Sequence, residues 1–258
     1  MRLMKRILSA AAVLALSASL LVGCSSGTAS SVPVSASSAA ESTVSSVEET
    51  ASSAVDENEA AAAQLLNDLT GSYQELWPVI LADEYKQTWL DDCTALVGED
   101  NAEAAFEKLS SMVTGDVYGE DAVKAYANGG GAYFCGFTNS LAILTFDGET
   151  STISGTDNDG NVLFSHTYHY IGMEPVRGLY EFQSDDADSG EFTYFFLAPD
   201  TSAETYHIEF RYGSDAEALS QYDTGEYAYW LASGISTDCD QTMIDNCIEL
   251  FCTENLAG

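Results

Sequence analysis

GGGAYFCGFTNSLAILTFDGETSTISGTDNDGNVLFSHTYHY, residues 129–170, is the stretch in which the chain changes its period. The three glycines Gly129-Gly130-Gly131 end a helical region, and short runs rich in aromatic and β-branched residues follow, separated by turn residues. The composition predicts strands at Ala132–Phe137, Leu141–Phe146, Thr152–Gly155 and Val162–Tyr170. It predicts three more at Gly178–Phe182, Phe192–Leu197 and Tyr206–Tyr212. Asn139-Ser140, Asp147-Gly148, Asp159-Gly160, Ser189-Gly190 and Pro199-Asp200 supply the turn chemistry between them. So many short strands with short connections describe an antiparallel up-and-down meander. Rolling it into a small barrel removes its exposed edges.

Upstream, Leu65, Leu66, Leu69, Tyr73, Leu76, Trp77, Ile80 and Leu81 recur at spacings of three and four. Gly71 and Pro78 interrupt them, so the run predicts two helical pieces or one kinked helix. Further helices are expected at Glu84–Leu96, Ala102–Met112 and Glu120–Ala127. A last one, from Gln241 to Glu254, can be capped by Asp238 or Asp240. The fold class is therefore α+β: N-terminal helices, an antiparallel up-and-down barrel and a C-terminal helix.

The first residues carry an address. Arg2, Lys5 and Arg6 precede an apolar run from Ile7 to Leu21, followed by Leu21-Val22-Gly23-Cys24. A basic start, a short apolar core and small residues at a cleavage point describe a secretory signal peptide. The run is too short and too rich in Ala and Ser for a spanning helix, which needs roughly 20 apolar residues. The Leu-Val-Gly-Cys ending resembles a bacterial lipobox. That resemblance implies cleavage after residue 23 and a diacyl (palmitate-type) anchor on Cys24. Residues 24–57 are mostly Ser, Ala, Val, Thr and Glu, without an aromatic side chain. Such a stretch cannot bury enough apolar surface to offset its ordering entropy and reads as a tether. The expected organisation is a leader over 1–23, a lipidated tether over 24–57 and one domain over 58–258. The expected location is the extracytoplasmic face of the cell membrane.

Of eight Lys and Arg, three lie in the leader, whereas all 41 Asp and Glu lie beyond Cys24. Five basic residues against 41 acidic ones leave a formal charge of −36 after cleavage. A surface this acidic repels phosphate backbones and anionic lipid heads, which excludes a nucleic-acid partner. It serves solubility, and it attracts cations. Cys93, Cys135, Cys239, Cys247 and Cys252 remain in the domain. Disulfides are permitted outside the cytoplasm, but five is odd and the pairing cannot be read from spacing. No Cys-x-x-Cys supports a thiolate zinc site. Cys135, inside an apolar run, reads as a small core residue.

The chain has three histidines. His166 and His169, three apart on one expected strand, face opposite sides. His207 and Glu209, two apart, face the same side, so an imidazole and a carboxylate can be offered to one divalent ion such as Zn²⁺. The bland alternative is a surface or hydrogen-bonded pair.

Leu69-Thr70-Gly71-Ser72-Tyr73-Gln74-Glu75-Leu76-Trp77-Pro78-Val79-Ile80 resembles the opening of the ZinT/YodA metal-binding, lipocalin-like proteins. Tyr206-His207-Ile208-Glu209-Phe210-Arg211-Tyr212-Gly213-Ser214-Asp215 resembles that family's His-x-His strand and the glycine after it. Phe195-Phe196-Leu197-Ala198-Pro199 is similar to the preceding strand, Val176–Phe182 to an earlier one, and Tyr222–Trp230 to the aromatic stretch before the final helix. The resemblance spans roughly residues 65–255, in order. It implies a lipocalin-like (calycin) barrel in an exported lipoprotein, zinc held by three histidines at one barrel mouth, and delivery of the ion to an uptake system such as a metal ABC transporter. The departures are specific. Phe195 stands where the first ligand is expected, His207 matches the second, and Glu209 stands at the third. Glu can replace His as a ligand but Phe cannot. A further donor would have to come from Tyr194, Glu181, His166 or His169. The alternative is a barrel that has lost its metal site and serves as a small-ligand or interaction domain, with Tyr194, Phe195, Phe196, Tyr206 and Tyr212 available to line it.

An enzyme is not expected. Neither a Gly-x-Ser-x-Gly elbow, a P-loop nor a dinucleotide fingerprint occurs. Asp157-Asn158-Asp159-Gly160 has the start of a calcium loop without its downstream carboxylate, and is more simply a hairpin turn.

Overall fold

The computed structural model describes residues 57–199 and 207–257. The leader, Cys24, nearly all of the expected tether and Tyr206 lie outside the described residues.

Eight antiparallel strands close into one barrel in chain order: β1 (Gly71–Glu75), β2 (Ile143–Asp147), β3 (Thr152–Thr156), β4 (Val162–Met173), β5 (Tyr180–Ser184), β6 (Tyr194–Leu197), β7 (His207–Gly213) and β8 (Ala232–Ser236). Each strand pairs with its predecessor, and β8 pairs back to β1 through Tyr73 with Ser236 and Glu75 with Gly234. This is the meander expected from the turn chemistry, closed as edge protection requires.

Strands β2 to β7 lie where their β-branched and aromatic runs predict them. The Asp157–Gly160 segment makes the β3–β4 turn. Asp157 Oδ1 accepts from the Asp159 and Asn161 amides at 2.9 and 2.8 Å, and Oδ2 from Asn161 Nδ2 at 2.9 Å. Those bonds hold the Asp157 carboxyl below the usual carboxylate range.

Three expectations need correction. The Leu65–Leu81 run is not two helical pieces. It is a helix over residues 57–68 (α1), then strand β1, then a short helix α2 (Leu76–Ile80). The spacing misleads because its halves face different cores. Leu65, Leu66 and Leu69 pack with the barrel interior, whereas Leu76, Trp77 and Ile80 pack into a helical layer outside it. Second, Ala132–Phe137 is not a strand. Only Phe134 makes bridges, to Thr114 and to Trp230, and the segment then crosses to the barrel interior, where Phe137 packs on Phe210. Third, β8 reads Ala-Ser-Gly-Ile-Ser and carries almost no strand signal. Its small residues answer a packing need. Gly234 lies so close to the interior that an added Cβ would meet Ile208 Cγ1 at 3.1 Å and the Phe137 ring at 3.4 Å.

The barrel interior is a stack of rings. Phe164, Phe195, Phe210 and Tyr212 lie face to face or nearly so, with centroids 5.3–6.4 Å apart along the chain of contacts. The end of α1 closes one side. Thr70 Oγ1 accepts from the Gly148 amide at 3.0 Å, and a Cβ at Gly148 would strike the Asn67 backbone at 2.4 Å, so the β2–β3 turn rests directly on α1.

The second layer is helical. α3 (Lys86–Val97), α4 (Glu99–Val113) and α7 (Gln241–Leu256) pack with α2 over the outer side of the β8–β1 seam, where Ile235 joins their core. Trp89 is fully buried there and donates from Nε1 to Ile80 O at 2.7 Å. Of the two candidate caps of α7, Asp240 does the work: its side chain accepts from the Met243 amide at 3.0 Å. A further helix, α5 (Glu120–Ala127), lies as expected. No described helix is long and apolar enough to cross a membrane.

Gly234→Val forces a Cβ and two methyls into the space held by Ile208 and Phe137. The expected loss is about 1–3 kcal/mol, read as a lower urea midpoint with an unchanged slope.

Candidate metal-binding site

Strand β7 carries the residues on which the metal reading depends, and alternation along it decides where they point. Ile208, Phe210 and Tyr212 are 0–1 % exposed and belong to the barrel interior. His207, Glu209 and Arg211 therefore project from the outer face. The first two are half-buried and the last is fully buried. Across the ladder, Ile235 stands opposite His207 and Ser233 opposite Glu209. His207 and Glu209 thus share one side of one strand, as their spacing predicts, on the outside of the sheet rather than within it.

Two thiols feel the charge of Glu209. Burial, and after it the Glu209 charge, push the Cys135 thiol up to about 12. Burial, then Cys239, then Glu209 do the same to Cys247. The amide of Ser233, beside Glu209, donates to Cys135 O at 3.0 Å. That bond ties β8, at the residue opposite Glu209, to the segment that holds Cys135. Thiols held this high stay protonated at neutral pH and are poor metal ligands.

The expected additional donors go elsewhere. Phe195 pairs with Tyr212 and is completely buried inside the barrel, on the opposite face from Glu209. His166 and His169 do face opposite ways, and each meets its own acid just after β5: His166 Nδ1 lies 2.7 Å from Asp186 Oδ2, and His169 Nδ1 lies 2.6 Å from Asp185 Oδ1. The Asp185-Asp186 pair, following the partner strand of β4, was the sequence signal for this. Glu181 is on the outer face of β5, opposite Phe196, with β6 between it and β7, about 10 Å away by strand spacing. Burial first, and the Glu174 charge second, raise its carboxyl. Tyr194 opposes Gly213 at the far end of β7. Among the described residues no three His, Cys, Asp or Glu side chains converge on a point that could hold an ion. The donor set does not fit a three-histidine zinc centre. What it offers is a two-donor edge, which leaves half of a tetrahedral shell to water or another group.

Arg211 is the residue sequence reasoning passed over. It lies over the Tyr222 ring at 4.3 Å and donates to the carbonyls of Leu219, Gln221 and Tyr227. Asp215 caps the short helix α6 (Ala216–Leu219), and Arg211 gathers the irregular chain after it onto the outside of β7. Burial lowers the Arg211 pKa, yet a guanidinium remains charged there. Its rarity was the available signal: it is one of five basic residues beyond the leader.

The fold is a calycin-like barrel. It is similar to the Zn(II)-bound ZinT-like domain of Streptococcus pneumoniae AdcA, with 15% identity, a TM-score of 0.45, and coverage of 71% of this chain and 89% of that one. It is also similar to Zn(II)-bound AdcA from Streptococcus pneumoniae, with 14% identity, a TM-score of 0.43 and 72% of this chain covered. In that second case the match spans 35% of the longer chain. No family model matches the chain, and no curated protein does.

Because Phe195 and Glu209 occupy opposite faces, putting back a histidine does not build a site. Phe195→His is expected to leave zinc affinity by calorimetry unchanged. It should cost about 3 kcal/mol or more in stability, since it removes a packed ring and buries a polar one.

Proposed function

We propose that the chain is an exported, lipid-anchored domain that binds a divalent cation, zinc or a related ion, outside the cytoplasm and passes it to an uptake system such as a metal ABC transporter. The observation that carries this reading is the shared face of β7: an imidazole and a carboxylate, His207 and Glu209, side by side and half-buried. The order of segments that resemble the ZinT/YodA proteins supports it, as does a surface whose excess of acid draws cations. His207 would ligate through a neutral ring nitrogen and Glu209 through a carboxylate oxygen, with water completing the shell. Two protein ligands hold an ion more weakly than a closed four-ligand site. That weakness suits cargo which must be released.

The reading is of a binding protein rather than an enzyme, on the ground that the sequence carries no catalytic signature. The anchor is the lipidated Cys24, and the location is the extracytoplasmic face of the membrane.

A second reading is favoured by two observations. The barrel interior is filled by aromatic side chains, and no three-donor cluster occurs among the described residues. On this reading the barrel has given up its metal and serves as an interaction domain. A filled interior argues against a small ligand inside it.

Calorimetry separates the two. Zn²⁺ should give binding heats with the wild type that are lost in His207→Ala and reduced in Glu209→Gln, and that weaken on acidification as the imidazole protonates. Equal heats in wild type and His207→Ala would overturn the metal reading. For the anchor, Cys24→Ser should move the protein from the membrane fraction to the soluble one and abolish palmitate labelling. Retention in the membrane fraction would argue against lipidation.

A further inference from the structure

Helices α3 and α7 meet through two sulfurs. Cys93 Sγ and Cys252 Sγ lie 3.9 Å apart, and both residues are completely buried. The two helices are already clasped around them. Phe251 packs edge-on against Trp89, with centroids 6.0 Å apart, and against Trp77 at 4.7 Å. Trp89 stands one turn before Cys93, and Phe251 is the neighbour of Cys252. The aromatic clasp holds the two helices together around the sulfurs, which stand 3.9 Å apart against roughly 2.05 Å in a disulfide. We propose that Cys93 and Cys252 form a disulfide that ties α7 to α3.

The bond balances by exchange with an external disulfide. One of the two thiols, as thiolate, attacks the external S–S bond and releases one external thiol. The second attacks the mixed disulfide, forms the Cys93–Cys252 bond and releases the other external thiol. Two electrons and two protons leave the protein, and the external disulfide is reduced to two thiols. In the folded protein both sulfurs are inaccessible, so the exchange belongs to folding, as α7 docks. The consequence reaches the whole domain. Cys93 precedes β2 and Cys252 follows β8, so the bond closes a loop around seven of the eight strands. Loops of that length give cross-links their largest effect on the unfolded chain. The remaining three cysteines are expected to stay reduced, because the sulfur contact that the structure shows is the one between Cys93 and Cys252.

The test uses the full exported chain, alkylated with iodoacetamide in denaturant without reductant. Cleavage after Asp and Glu isolates Cys93 in residues 93–99 and Cys252 in residues 250–254, with Cys247 in a separate peptide. Mass spectrometry should find those two peptides joined and the labels on Cys135, Cys239 and Cys247. Labels on both Cys93 and Cys252, or either one joined to a different cysteine, would overturn the proposal. A second measurement compares the chain refolded with glutathione disulfide and with excess reduced glutathione. The oxidised form should melt about 10 °C higher, and the Cys93→Ala/Cys252→Ala double variant should show no such difference. Equal melting temperatures for the two wild-type preparations would also overturn it.

Discussion

The closure of the sheet by β1 on β8 is the contact on which the rest depends. An open seven- or eight-stranded meander would present two edges, and its aromatic interior would face water along the gap. Pairing Tyr73 with Ser236 and Glu75 with Gly234 removes both edges at once. The seam is also held where the 132–137 segment meets it. Glu75 Oε1 accepts from the Phe137 amide at 2.6 Å, and the Ser233 amide donates to Cys135 O at 3.0 Å, so the crossing segment laces the two closing strands together. The helical layer then sits on that seam, with Ile235 as its point of entry. Small residues in β8 are what allow the barrel to be this narrow, since Gly234 leaves room for Ile208 inside.

Closure has a chemical consequence. Once the ring is shut, each strand has an inner face and an outer one, turned to the helical layer or to solvent, and side chains alternate between them. On β7 the dry face takes Ile208, Phe210 and Tyr212, and the outer face takes His207, Glu209 and Arg211. Polar groups on the outer face are then used in different ways. Arg211 is wholly enclosed and answers backbone carbonyls of the chain wrapped over it, a use of charge that satisfies groups no ladder reaches. His207 and Glu209, nearer the start of the strand, keep partial exposure. The same sorting puts Phe195 inside and so separates it from both.

The helical layer shows that burial without polarity has a chemistry of its own. Four of the domain's five cysteines are buried: Cys93, Cys135, Cys247 and Cys252. Burial is the first cause that raises all four thiols, and the Glu209 charge adds to it at Cys135 and Cys247. Such thiols act as small apolar groups until another sulfur comes within reach, and Cys93 and Cys252 are the two in contact.

By itself the sequence determined whatever is local. Turn pairs such as Asp147-Gly148 and Asp159-Gly160 marked the hairpins, aromatic runs marked β2 to β7, Asp240 marked the start of α7, and the spacing of His207 and Glu209 put them on one side of a strand. Each of these depends on a few neighbouring residues and on backbone geometry alone. Only the tertiary structure decided that β1 and β8 exist, because a five-residue strand of Ala, Ser, Gly and Ile is selected by the space left between two packed layers rather than by its own propensity. It likewise decided which face of β7 is inside, that His166 and His169 are claimed by Asp186 and Asp185, and that two cysteines 159 positions apart touch. Periodicity states that residues share a face. Which side that face turns to is set by the curvature of a closed sheet, and no window of sequence contains it.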